Sequence, residues 1–162
     1  MPHRRRGRRP LRLWTAALAL LIAVWLVWRG GMTLAAAGGG SGAMHTVEQF
    51  YRDEQSGDFG SAWELFHPLM QQKFEKASYI QKRAHIMMQD FGVKTFDFKA
   101  GRPKHLSAWR ISSDEPEIND VYEIVVTQHF HTPYGDFELV QPCYLAKDDG
   151  AWKLLWSYEG TG

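Results

Sequence analysis

His129 and His131 lie two residues apart in Thr-Gln-His-Phe-His-Thr-Pro-Tyr-Gly-Asp, residues 127 to 136, and Cys143, the only cysteine, follows. Imidazole, carboxylate and thiolate are zinc ligands, and a zinc site needs three or four of them converging. On a strand, residues two apart share a face, so both imidazoles could reach one ion. Asp136 or Cys143 joins them only if the hairpin register brings either alongside. Glu123, Val125 and Thr127 share the histidines' face, while Tyr122, Ile124, Val126 and Phe130 form a more apolar one. The apolar face is expected to meet helices, leaving His129 and His131 as solvated strand residues. No metal and no other cofactor is expected.

Acid–base chemistry would need a histidine–carboxylate pair inside a cavity. Asp97, Asp90, His85, His105 and His129 have the right types, but none sits in a tight signature. Asp97 alternates with Phe96 and Phe98 and reads as solvent-facing. Cys143 has no local Cys–His signature and reads as a small buried hydrophobe. His-Glu-x-x-His, phosphate-binding and dinucleotide-binding glycine patterns, and paired Cys-x-x-Cys are absent. Trp152, Leu154, Trp156 and Tyr158 share one face of a final strand. That face reads as a helix-packing surface, with an interaction surface as the alternative. The candidates for a cavity or interaction site are therefore Asp97, His129, His131, Cys143, Trp152 and Trp156.

The elements that must place these residues divide the body in two. The first half is helical. Val47, Phe50 and Tyr51 recur at helical spacing up to Gly57. Asp58 is placed to cap a second helix, which Pro68 is expected to end. A short helical piece runs from Leu69 to Phe74. Ser78 is read as the cap of a further helix with Ile80, Ala84, Met87 and Met88 inward, closed by Gly92. The second half alternates in strands: 94–100, 106–112, 121–132, 137–147 and 151–158, with turns at 133–136 and 148–150. Helices first and an antiparallel meander second give an α+β domain, with helices on one face of a curved sheet.

The N-terminal part differs in kind. Seven arginines precede Ala43 with no acidic residue, leaving 12 Lys and Arg against 18 acids, a net of about −6 for the remainder. An acidic body argues against nucleic acid, because phosphate binding needs a basic face. Residues 13–28 carry no charge and, as a helix, span roughly 24 Å at about 1.5 Å per residue. Trp14 stands near one end, Trp25 and Trp28 near the other, as in an interfacial aromatic belt. The expected organisation is a cytoplasmic basic segment at 1–12, a transmembrane anchor at 13–29, a Gly-rich linker at 30–43 and a domain at 44–159. Arginines before the span keep the N-terminus inside and send the domain out of the cytoplasm. Cleavage after Ala35-Ala36-Ala37 is the rival reading.

The pattern Val47-Glu48-Gln49-Phe50-Tyr51 through Gly57-Asp58-Phe59 to Ala62-Trp63 resembles the opening helices of the nuclear-transport-factor-like superfamily. Tyr79 to Phe91, Gly92-Val93-Lys94 and the ending Gly150-Ala151-Trp152-Lys153-Leu154-Leu155-Trp156-Ser157 resemble, more narrowly, the N-terminal non-catalytic domain of methicillin-resistance-type penicillin-binding proteins. The resemblance implies a cone-like domain behind a membrane anchor. It also implies a positioning or interaction role at the cell envelope, linked to peptidoglycan synthesis and involving an envelope protein partner. Ser-x-x-Lys and Lys-Thr-Gly are absent, so transpeptidase chemistry does not come with it. The alternative is a small-molecule-binding protein or enzyme of the SnoaL-like kind, which uses the cone cavity.

Overall fold

The computed structural model describes residues 39–157. Four α-helices, α1 (Gly39–Ser56), α2 (Phe59–Glu64), α3 (Pro68–Lys73) and α4 (Lys76–His85), precede a π-helical turn at Ile86–Asp90. Five strands follow: β1 (Asp97–Ala100), β2 (Lys104–Trp109), β3 (Ile118–Thr132), β4 (Gly135–Asp148) and β5 (Ala151–Leu155). The helices pack on a curled antiparallel half-barrel sheet, so the α+β expectation holds. Among the described residues, no helix is long and apolar enough to cross a membrane. The expected basic segment (1–12) and anchor (13–29), and Tyr158 of the final strand, lie outside the described residues.

The expected Gly-rich linker at 30–43 is corrected at its end, because Gly39–Ala43 form the first turns of α1. Glycine costs a helix interior about 1 kcal/mol relative to alanine, so composition reads as linker. Tertiary contact reverses this. A Cβ on Gly39 would stand 2.4 Å from the Tyr122 hydroxyl, and one on Gly42 would stand 2.6 Å from Trp152 Nε1. The missing side chains let the helix lie against these two rings while Ala43, Thr46 and Val47 bury beside them.

Other boundaries shift for local reasons. Gly57 takes a left-handed φ of 81°, and Asp58 accepts from Ser61 N–H at 3.0 Å, starting α2 as expected. Pro68, expected to end a helix, instead occupies the first turn of α3, where its lost N–H is harmless. Its cap is His67, whose Nδ1 accepts from Leu69 N–H at 3.3 Å. Glu75, and not Ser78, caps α4 by accepting from the Ala77 and Ser78 amides at 3.0 and 2.8 Å. The wide π turn rotates the chain beyond α4. Met87 is buried, but Met88, expected inward, is 60% exposed.

The sheet is a meander only over β3, β4 and β5. β1 and β2 both pair with β3, so β3 is central. Asp97 opposes His129 and Lys104 opposes Glu123, which sets seven steps on the edge against six on β3. The extra residue is taken up around Gly101, whose amide donates to Val125 C=O at 2.8 Å. At the far side, the free edge of β5 is covered by residues 65–67. The His67 amide donates to Leu154 C=O, and the Leu154 amide to Leu65 C=O, both at 2.9 Å. Asp149 and Gly150, with φ of 47° and 81°, close the β4–β5 hairpin as a two-residue turn.

The buried side chains of β3 are Ile124, Val126, Gln128 and Phe130, joined by Val121 at its start. They meet Phe50, Tyr51, Phe66, Phe96 and Met70 in one core. Burying each such apolar side chain stabilises by roughly 1.5–3 kcal/mol.

Gly42→Ala is expected to lower the melting midpoint. The clash with a packed indole costs about 1–3 kcal/mol and outweighs a propensity gain of about 1 kcal/mol. Thermal melts against His45→Ala, an exposed control on the same helix, check the sign. His67 supplies a pH signature. Burial lowers its pKa below 6.5, and only the neutral ring can accept from Leu69. Its contribution to stability is thus complete above about pH 6.5 and fades as pH falls below it. His67→Asn keeps an acceptor that does not titrate, so denaturant melts should show a smaller loss between pH 7 and pH 5 than wild type.

Candidate functional site

The register places the candidate ligands on two faces of the sheet. In β3, His129 and His131 point to the face away from the helices. They pair with Glu138 (Nδ1 to Oε1 2.9 Å) and Asp136 (Nδ1 to Oδ1 3.0 Å), their cross-strand neighbours on β4. Asp97 joins the same face, 4.0 Å from His131 Nε2. Cys143 opposes Ile124 and is buried on the other face. The thiol and the imidazoles are therefore on opposite sides of one sheet. Among the described residues, no group of three or more His, Cys, Asp or Glu is placed to hold a metal. The remaining acid–base candidates are also superficial: His85–Asp90 lie 3.5 Å apart and His105–Asp120 3.4 Å apart, all well exposed.

Inside, Cys143 sits under Tyr51, whose hydroxyl is 3.3 Å from the sulfur. The buried Trp156 indole N–H faces the same sulfur, a weak acceptor, and has no conventional hydrogen-bond partner. Burial pushes the Cys143 thiol up to about 12, against the pull of its Tyr51 and Trp156 contacts. That environment favours the neutral thiol over the thiolate a nucleophile needs. Burial, with Cys143 beside it, also raises the Tyr51 phenol.

Trp152 and Trp156 project toward the helices, as their alternation with Leu154 indicates. Trp152 packs edge-on against Tyr122 at 5.4 Å and receives Lys147 over its ring at 5.2 Å. Trp156 meets Phe66, Phe50 and Phe74 edge-on at 4.9, 5.6 and 6.5 Å. Its other side reaches a cleft of about 360 Å³ between α3, α4 and the end of β5, lined by Phe74, Tyr79, Lys82, Arg83, Ile86 and Trp156 among others.

Beneath that cleft lies the group that sequence reading passed over. Glu54 of α1 is fully buried. Its Oε1 accepts from the Tyr79 hydroxyl at 2.5 Å, and its Oε2 from Arg83 Nε at 2.7 Å and also from Arg83 Nη2. Burial opposes the charge on Arg83, but the Glu54 carboxylate more than offsets this and raises its pKa. Burial and the same carboxylate push the Tyr79 phenol well above its ordinary range. A signal was present. Glu54 continues the inward stripe Val47, Phe50, Tyr51 at i+7 from Val47, and Tyr79 and Arg83 stand four apart on one face of α4. A carboxylate on an apolar stripe needs a buried cation.

Comparison with family models and with curated proteins found no match to this chain.

Proposed function

We propose that this chain is a membrane-tethered, extracytoplasmic interaction domain of the cell envelope that performs no catalysis itself. The observation that carries the reading is the content of the inner face. Phe50, Tyr51, Phe66, Phe96, Phe98 and Trp156 fill the space between α1 and the sheet with ring-to-ring contacts. The ionised groups described there are spent on one another. A cone-cavity enzyme of the SnoaL-like kind needs an imidazole and a carboxylate converging inside. Here Asp97 and His129 stand on the opposite face. The likeness to the N-terminal domain of methicillin-resistance-type penicillin-binding proteins supports a positioning role near peptidoglycan synthesis, with an envelope protein as partner. Residues 13–29 supply the tether. The acidic body argues against nucleic acid as a partner.

The tether is tested in intact cells carrying the full chain with a C-terminal tag. Protease added from outside should remove the tag and body, and the mature N-terminus should retain the arginine segment. A photo-cross-linker at Lys82 should give one discrete adduct in those cells, absent when it is placed at His131. A protected tag, or a mature chain beginning at Gly38, would overturn the topology. Identical cross-linking from both positions would overturn the directed interaction.

A further inference from the structure

We propose that the cleft between α3, α4 and Trp156 is a binding site for a carboxylate attached to a compact apolar or aromatic body, the chemistry of a peptide ending in an apolar residue or of a small aromatic acid. The inference rests on the interaction-domain reading and deepens it.

Three features point to this chemistry. The cleft measures about 360 Å³, at the small end of ligand pockets, room for about one large side chain and its terminal group. Phe74, Tyr79, Ile86 and Trp156 supply the apolar and aromatic part of its lining, with Phe74 edge-on to Trp156 at 6.5 Å. Its lining has a positive balance, Lys73, Lys82 and Arg83 against Glu75. Lys82 is exposed, with no ion-pair partner among the described residues. Arg83 carries five N–H donors, and Glu54 engages only its Nε and Nη2 atoms. The acidic lining residue, Glu75, is already occupied as the cap of α4. An incoming carboxylate therefore meets a lysine and the spare donors of an arginine held in place from behind. A neutral ligand would leave those donors unmatched, and a second cation would be repelled.

The Glu54 pair is what makes such a site possible. Without a carboxylate behind it, a guanidinium would turn out toward water and not stay half-buried in the cleft wall. With Glu54 fixed on α1 and Tyr79 holding its other oxygen, the Arg83 fork is preorganised and little side-chain entropy remains to be lost on binding.

The test uses the full chain in detergent micelles and follows the indole N–H resonance of Trp156, assigned by its loss in Trp156→Phe. The probes are 3-phenylpropionate, its uncharged amide, and a hexapeptide ending in Phe with a free or an amidated C-terminus. The proposal expects a saturable shift of the Trp156 signal with the carboxylates. Binding should be about ten-fold weaker for the amides, as loss of a charge-assisted hydrogen bond predicts. Lys82→Gln, an exposed change that leaves the core intact, should weaken the carboxylates about three- to ten-fold and leave the amides unchanged. Binding of the peptide acid identifies a chain terminus as the source. Binding of phenylpropionate alone keeps the site but removes the protein-partner reading. Equal affinity for acids and amides, indifference to Lys82→Gln, or no shift at millimolar concentration overturns the proposal.

Discussion

One buried carboxylate holds the helical layer together. Glu54 is fully enclosed, and an ionised carboxylate taken from water costs several kcal/mol unless it is paired and hydrogen-bonded. Tyr79 and Arg83 meet that requirement from α4. They come from a helix separated from α1 by two short helices and several turns. Apolar packing alone would let α4 slide or rotate over α1. Two hydroxyl and guanidinium contacts on opposite oxygens of one carboxylate permit a single placement. That placement puts Phe74, Ile86 and Trp156 around the same opening and sets the Arg83 fork in its wall.

The sheet supplies the other constraint. Because β3 lies at the centre, with β1 and β2 along one side and β4 along the other, its two faces have separate destinies. One carries His129, His131, Asp97, Asp136 and Glu138 to solvent, in cross-strand pairs that need no metal. The other carries Cys143 and Gln128 into an interior of aromatic rings. Residues close in sequence, such as His131 and Cys143, are thereby divided by the thickness of the sheet. The reading of this protein as an interaction domain depends on that division, since it leaves no histidine–carboxylate pair facing inward among the described residues.

Much of this was legible in the sequence where local rules decide. The alternation along β3 assigned its faces, the Asp-Gly turn its hairpin, and Gly57 with Asp58 the start of α2. The alternation of Trp152, Leu154 and Trp156 gave their direction. What escaped depends on partners distant in the chain. Gly39–Gly42 reads as linker until Tyr122 and Trp152 explain why a helix there needs glycine. Pro68 reads as a stop until His67 supplies a cap. The bulge at Gly101, which makes one edge out of β1 and β2, has no local signature. Glu54 was visible as a misfit on an apolar stripe, but its meaning required Arg83, and periodicity does not pair helices. The membrane tether remains a reading of residues 13–29 and their flanking arginines.

The most direct measurement is a double-mutant cycle on Glu54 and Arg83, using Glu54→Gln, which keeps an acceptor for Tyr79, Arg83→Met, and both together, with stability read by denaturant melts of the full chain. Arg83→Met strands the buried Glu54 charge and should cost about 3–5 kcal/mol, and Glu54→Gln, which leaves the partly exposed Arg83 without its counter-ion, should cost less. The double variant should cost less than the sum of the two losses, by a coupling of about 1–3 kcal/mol. Strictly additive losses, or single variants as stable as wild type, would contradict the account. They would mean that α4 is positioned by apolar packing and that the arginine in the cleft wall is not held by Glu54.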